Sequence, residues 1–385
     1  MTPAARIAAA IAVLDAIGDG QAPEQALSRW ARASRFAGSK DRAAVRDHVF
    51  DVLRNWRSDA ALGGAETGRG RMIGRLRALG QDVETLFTGE GHAPAPLSYA
   101  ERSAGRNPEA GGAAWNLPDW LVPLWSGSLG ADADAAAHQA MARAPITLRV
   151  RGDVAAVQVS LVADGITAAP NPRARAALTL TDGARKLRQA RAWAEGLVEL
   201  QDASSQAVVA WISGAGTALD YCAGGGGKAL ALADAGWQVT AHDISAARMA
   251  DIPERAARAG VQIAIDTGPE GQFDLVLCDA PCSGSGAWRR APQGKWALTA
   301  ERLTELQALQ DSVLDSALRH VAPGGALVFA TCSVLRAENE DRVAAFLARH
   351  PGWCVAEMQR WPLDALGDGF FAARLMRDTP GATQP

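Results

Sequence analysis

The run Asp220-Tyr221-Cys222-Ala223-Gly224-Gly225-Gly226-Gly227-Lys228 constrains the chain more than any other feature. It follows a short apolar segment, 217–221, and opens a stretch of helical character that ends near Ala235. A strand that breaks into glycines and then a helix brings bare backbone N–H groups and the positive end of a helix to one point, which suits a polar ligand. Downstream the alternation continues. Strands are expected at 239–241, 261–265, 273–277 and 326–330, with helices through Ala259, over 299–320 and over 338–350. This order implies an α/β fold with a doubly wound, mainly parallel sheet. Segments 355–358 and 370–375 are read as an antiparallel edge.

At 385 residues the chain exceeds one hydrophobic core, so several domains are expected. Residues 1–88 read as an all-helical domain. Ser39 is placed as the cap of a helix whose Val45, Val49, Val52, Leu53 and Trp56 form one apolar stripe, with Arg42, Arg46 and Arg57 along its edge. Between Arg29 and Arg57 the formal charge is +5, whereas the whole chain carries −3. Residues 89–112, rich in Gly, Pro, Ala and Ser, read as a linker. Residues 113–199 read as a small α+β subdomain, with helices at 117–125 and 131–143 and strands at 146–151 and 154–159. The doubly wound domain takes 200–380.

Composition removes several function classes. The content of 48% hydrophobic and 21% charged residues is that of a globular chain, and no apolar run approaches the ~18 residues of a membrane span. The first residues lack a separate charged head, so a secretory signal is not expected. A cytoplasmic protein without a membrane partner follows as an expectation. Five cysteines with neither CxxC nor zinc spacing argue against a disulfide framework, a metal site and a thiol oxidoreductase.

The glycine turn fails as a P-loop, because position 222 is Cys and position 229 is Ala. It fails as a dinucleotide fingerprint because Ala229 occupies the third glycine position. A looser turn for the methionine end of S-adenosylmethionine remains open, as does a plain tight turn. Asp243, 19 residues beyond Gly224, is placed to accept ribose hydroxyls or to cap the next helix. Asp266 is similarly placed toward an adenine amino group. Asp279-Ala280-Pro281-Cys282-Ser283-Gly284 ends the fourth strand, and Ala330-Thr331-Cys332-Ser333 ends the fifth. In a doubly wound sheet these strands are neighbours, so Cys282 and Cys332 are predicted to share a pocket despite the 50 residues between them. Lys228 and Lys295 are half of the four lysines, against 35 arginines, and both lie in these loops.

Taken together, DYCAGGGGK, HDIS, FDLVLCDAPCSGSG, Arg289-Arg290-Ala291-Pro292, Lys295-Trp296 and TCS followed by Glu338-Asn339-Glu340 resemble the Nop/Sun family of S-adenosylmethionine-dependent RNA 5-methylcytosine methyltransferases. The segments 198–206 and 367–371 also look like family elements, and the resemblance covers roughly 115–377. The N-terminal helices are similar to the antitermination-factor-like RNA-binding domain of the bacterial ribosomal small-subunit methyltransferase B branch.

The resemblance implies a Rossmann-like class I methyltransferase domain and a set of roles. Cys332 is the nucleophile, Cys282 assists product release, Asp279 meets the base edge, and Lys228 supports the thiolate. Cys222, Ala223, Gly224, Gly225, Gly226, Gly227, Lys228, Asp243, Asp266 and Asp279 hold S-adenosylmethionine. Arg42, Arg46, Arg289, Arg290 and Lys295 meet RNA, with ribosomal RNA the expected partner and a monomer the expected state. The chain departs from the family at Gly224 and Gly225, which replace Ala and Pro, and at Arg151, where many members have Asn. A tRNA substrate, or a non-catalytic ribosome-assembly factor of the same fold, are the competing readings.

Overall fold

A computed structural model describes residues 1–378 of the chain. Four short strands come first, β1 Thr147–Val150, β2 Thr167–Pro170, β3 Ala177–Asp182 and β4 Val198–Leu200, and form an antiparallel sheet in the order β2-β3-β1-β4. Seven strands form the larger sheet: β5 Thr217–Asp220, β6 Gln238–Ala241, β7 Ile263–Ile265, β8 Phe273–Asp279, β9 Val321–Thr331, β10 Trp353–Trp361 and β11 Phe370–Arg377. Their order is β10-β11-β9-β8-β5-β6-β7. The five strands from β9 to β7 are parallel, and β11 and β10 add an antiparallel edge, as the sequence implied.

Burial follows the alternation of side chains. Leu219, Val276, Cys278, Leu327 and Phe329 face one layer with Leu314, Ala317 and Phe346. Ala218, Leu275, Leu277, Val328 and Ala330 face the other with Val208, Leu232 and Trp237. A parallel sheet covered on both faces needs such continuous apolar strands.

By compactness the described chain falls into two units. One comprises Met1–Ser126, Ala131–Arg143 and Trp288–Ala297; the other comprises Gly127–Gly130, Ala144–Ala287 and the remainder from Leu298. Several expectations change accordingly. The predicted linker at 89–112 is part of the helical unit, with a helix at Tyr99–Ser103 closed by a capping box between Ser98 and Glu101. Arg77 fastens it by donating to the carbonyls of Leu62, Glu101 and Ala104, and Arg69 pairs with Glu101 at 2.6 Å. The helices expected within 113–199 pack with this unit, so the α+β portion starts at Ala144. Residues 288–297, expected within the 200–380 domain, also belong to the helical unit. There Trp288 stacks on Trp125, and Trp296 donates to the Leu53 carbonyl. The last two residues of that predicted domain lie outside the described ones.

Two local readings are also corrected. Residues 154–159 form a helix, Val154–Ala163, rather than a strand, because the Asp153 side chain caps it and Val157 and Leu161, four apart, bury together. Gly38 rather than Ser39 is the cap of the helix Ser39–Arg54. Its stripe buries Val45, Val49, Val52 and Leu53, while Trp56 begins the next helix, Trp56–Gly63.

The two family-like segments at 198–206 and 367–371 dock together. Asp202 caps the helix Ala203–Trp211 and also accepts from the Asp368 N–H at 3.2 Å. The Gly369 N–H in turn donates to the Gly286 carbonyl at 3.0 Å. A Cβ on Gly286 would strike the Gly369 backbone. Gly286→Ala is therefore expected to lower stability by about 1–3 kcal/mol, read as a reduced urea midpoint. An unchanged midpoint would show that this contact gives way freely.

Candidate active site

The chain runs β5, β6, β7 outward, then crosses back to β8 and β9 on the far side of β5. The strand ends of β5 and β8 part at this reversal, which is where open α/β sheets receive ligands. The glycine turn leaves β5 here. Gly224 and Gly226 adopt left-handed φ of +51° and +81°, and a Cβ on Gly226 would approach the Ile252 side chain to 2.7 Å. The Ala223 N–H donates to the His242 carbonyl at 2.8 Å, and the Gly224 N–H donates to Asp243 at 3.0 Å. Asp243 is only 2% exposed, accepts from the Ser245 N–H as well, and faces Arg248 at 3.1 Å. The turn and the end of β6 are thus one assembly.

Carboxyl groups gather around this assembly. Burial pushes the Cys222 thiol up, and the charges of Asp220, Asp279 and Asp243 push it further, so three carboxylates converge on it. The glycine cradle, the Asp243 carboxylate and the Ile244 side chain, 96% exposed beside it, fit S-adenosylmethionine. Asp266 is half-buried at the end of β7, where its carboxylate accepts from the Gly268 N–H at 2.9 Å.

Beyond β8 and β9 the two cysteines meet. The register sets Asp279 opposite Ala330, and the Ala280 N–H donates to the Ala330 carbonyl at 2.9 Å. The Cys282 and Cys332 sulfurs lie 3.5 Å apart, and both residues are half-buried free thiols. The hydrogen bond with Cys332, followed by burial, raises the Cys282 thiol well above its ordinary range. Either thiol can be the donor in this contact. Lys228 Nζ lies 2.6 Å from Asp279 and 5.0 Å above the Phe370 ring. Burial alone would lower this ammonium, but the Asp279 contact and the charge of a Cys332 thiolate raise it overall.

Glu338, fully buried, holds the two loops in place. It accepts from the Ser283 N–H at 2.7 Å and the Ser283 hydroxyl at 2.5 Å, from the Ser333 hydroxyl at 2.6 Å, and from Gln310 at 3.2 Å. Asn339 accepts from the Thr331 hydroxyl and donates to the Ser333 carbonyl. Glu338 and Asn339 were quoted in the family-like run without a role; their placement directly after the fifth strand was the available signal. Ile244 and Asp220 were missed as well, although each adjoins a residue already singled out.

The structure does not bring every expected RNA contact to an open surface. Arg42 and Arg46 are exposed, but Arg46 is paired with Glu24 at 2.9 Å, and Arg42 donates to the Ala37 carbonyl. Arg290 is exposed. Arg289 and Lys295, expected to meet RNA, are instead buried in the helical unit. Lys295 donates to the Arg54 carbonyl at 3.2 Å, and burial, then the Arg54 charge, lowers its ammonium to about 7.

Residues 212–376 match the family described as 16S rRNA methyltransferase RsmB/F, and residues 117–185 match its ferredoxin-like domain. A ribosomal RNA small subunit methyltransferase B from Xylella fastidiosa (strain Temecula1) is 37% identical over 294 residues, 69% of this chain and 68% of that protein. The chain belongs to the RsmB/F family. The enzyme of the same name from Cronobacter sakazakii is 32% identical over 289 residues, 69% of this chain and 67% of that one. Among solved structures, PH0851 shares the fold at a TM-score of 0.74 and 21% identity, covering 98% of this chain and 99% of its own. A methyltransferase homolog protein from Pyrococcus horikoshii does so at 0.59 and 22%, covering 69% and 96%. The family's domain is thus a Rossmann-like methyltransferase sheet, as expected from the sequence.

One titration follows from the buried cleft. Burial, then repulsion from Asp279, raises the Asp220 carboxyl to about 7, with Lys228 opposing. Unfolded, this group releases its proton near its ordinary value of 3.8. Between those values the native state holds the extra proton, so the contribution of Asp220 to stability falls as pH rises. The stability of Asp220→Asn relative to the parent should therefore grow on the order of 2 kcal/mol between about pH 4.5 and 7, measured by urea unfolding. A flat difference would mean the group is ionised throughout.

Proposed function

We propose that the chain methylates C5 of a cytosine in small-subunit ribosomal RNA, with S-adenosylmethionine as donor, through a temporary bond between Cys332 and C6 of the base. The observation that carries this reading is the pair of sulfurs 3.5 Å apart beside the Lys228–Asp279 ion pair, next to a carboxylate-lined glycine turn. The relatives from Xylella fastidiosa and Cronobacter sakazakii are ribosomal RNA small subunit methyltransferases, which supports the substrate class.

Cytosine C5 is a weak nucleophile, and the chemistry must first enrich it. Cys332, as thiolate, adds to C6 and pushes electron density onto C5 and N3. Asp279, with one oxygen engaged by Lys228, keeps the other to accept from the amino group of the base and orient it, while the Lys228 ammonium offsets the negative charge that addition places on the ring. S-adenosylmethionine supplies an electrophilic methyl group to C5. Loss of the C5 proton then restores the double bond and expels the thiolate, and the Cys282 S–H steadies the departing sulfur. A base inside a stacked helix cannot reach this pocket, so the target is flipped or unpaired.

Two variants separate the roles. Cys332→Ser should lower turnover on the order of a thousandfold or more while leaving S-adenosylmethionine binding intact by calorimetry. Cys282→Ser should accumulate a covalent protein–RNA adduct, seen as a slow band on denaturing gels. A trapped adduct with Cys332→Ser but not with Cys282→Ser would reverse the assignment. Bisulfite sequencing of ribosomal RNA from a deletion strain tests the reaction itself, with loss of one 5-methylcytosine expected.

A further inference from the structure

Away from the cysteines, a pocket of about 360 Å³ opens where β1 and the segment 174–176 before β3 meet the helices Ala203–Trp211 and Gly227–Asp234. Arg149, Arg151, Gly152, Arg175, Gln206 and Asp234 are among the residues that line it. The wall otherwise consists largely of alanines, which leave room for a small tetrahedral group.

The charge balance around this pocket is incomplete. Asp234 pairs with both Arg149 and Arg151. Glu199, paired in register with Arg149 across β1 and β4, is taken by Arg255 at 3.3 Å and Arg258 at 2.5 Å. Arg175 stands exposed at the mouth. The pocket wall itself thus holds three arginines and one acid, an excess of +2 in a chain whose net charge is −3. Arg149 shows where the deficit falls: its side chain is 6% exposed, and its Nε and Nη2 are buried without a hydrogen-bond partner. A buried guanidinium with open donors is stabilised by an anion, and its planar fork suits phosphate oxygens. Arg255 also donates to the Gly225 carbonyl, so the cluster abuts the glycine turn.

We propose that this pocket seats a backbone phosphate of the RNA substrate, with Arg149 and Arg151 as its inner donors and Arg175 at the entrance. The proposal rests on the reading of RNA as substrate and adds a contact remote from the reacting base. A free phosphate ion offers the same chemistry, and the test separates the two sources.

The test uses the full chain, a fluorescein-labelled small-subunit ribosomal RNA fragment and fluorescence anisotropy over a series of KCl concentrations. Arg151→Gln with Arg175→Gln leaves the buried Arg149 in place. This variant should bind several-fold more weakly, and its slope of log affinity against log salt should shrink by about one. Unchanged S-adenosylmethionine binding by calorimetry shows that the variant is folded. Equal affinity and slope in variant and parent overturn the proposal. A second arm titrates inorganic phosphate against the thermal midpoint. A phosphate-dependent rise that the variant loses, with its RNA slope unchanged, makes the pocket a free-anion site and also overturns the proposal. If the parent binds RNA yet forms no 5-methylcytosine, the functional reading fails while the slope comparison still decides this pocket.

Discussion

The Glu338 carboxylate accepts four hydrogen bonds from three segments: the loop after β8, the loop after β9 and the helix Ala300–Ala317 that carries Gln310. A carboxylate without water is tolerable only when such donors surround it. The charge therefore makes the positions of the two loops interdependent, because displacing either one strands part of a buried anion. Parallel pairing of β8 with β9 brings the strand ends together, but strand ends alone leave loops free to splay. The serines on Glu338 remove that freedom, and the half-buried sulfurs at 3.5 Å are the consequence.

The cofactor cleft uses buried charge in the opposite sense. Asp243 is held by backbone N–H groups and lies beside Arg248, whereas Asp220 sits deeper and is raised toward neutrality. Lys228 offsets Asp279 directly. A cleft arranged in this way offsets its ionised carboxylates without ionising every carboxyl group in the interior. Glycine at 224 and 225 costs rigidity in the turn, yet Gly224 is tied to Asp243 and the Gly225 carbonyl to Arg255, so side-chain contacts supply part of the missing stiffness.

Much of this was legible in the sequence because the signals were local or topological. The glycine run, the strand–helix alternation and the antiparallel edge each follow from patterns within a few residues, and the meeting of Cys282 with Cys332 follows from sheet topology. The failures share a different cause. Residues 154–159 are rich in valine and read as a strand, but the Asp153 cap and the pairing of Val157 with Leu161 decide for helix. The segment 89–112 has no periodicity of its own, and it is ordered by arginines from elsewhere, Arg69 and Arg77. Lys295 was expected to meet RNA because nothing in its neighbours announces that the 288–297 excursion folds back onto Leu53 and Arg54. Glu338 escaped assignment for the same reason, since its partners lie 5 to 55 residues away.

Charge illustrates the point most sharply. Between Arg29 and Arg57 the sequence shows an excess of +5, and folding redistributes it: Glu24 takes Arg46 and Asp119 takes Arg57, while Arg6 from outside the window takes Asp41 and Arg143 takes Asp47 and Asp51. The arginines around Asp234 and Glu199 are scattered between positions 149 and 258 and form no run in the sequence, but folding gathers them faster than it gathers acids. An RNA phosphate responds to the charge left over after internal pairing, not to the count along the chain. A slightly acidic protein can thus carry a strong local site for a polyanion, provided its surplus guanidinium groups converge where few carboxylates can follow.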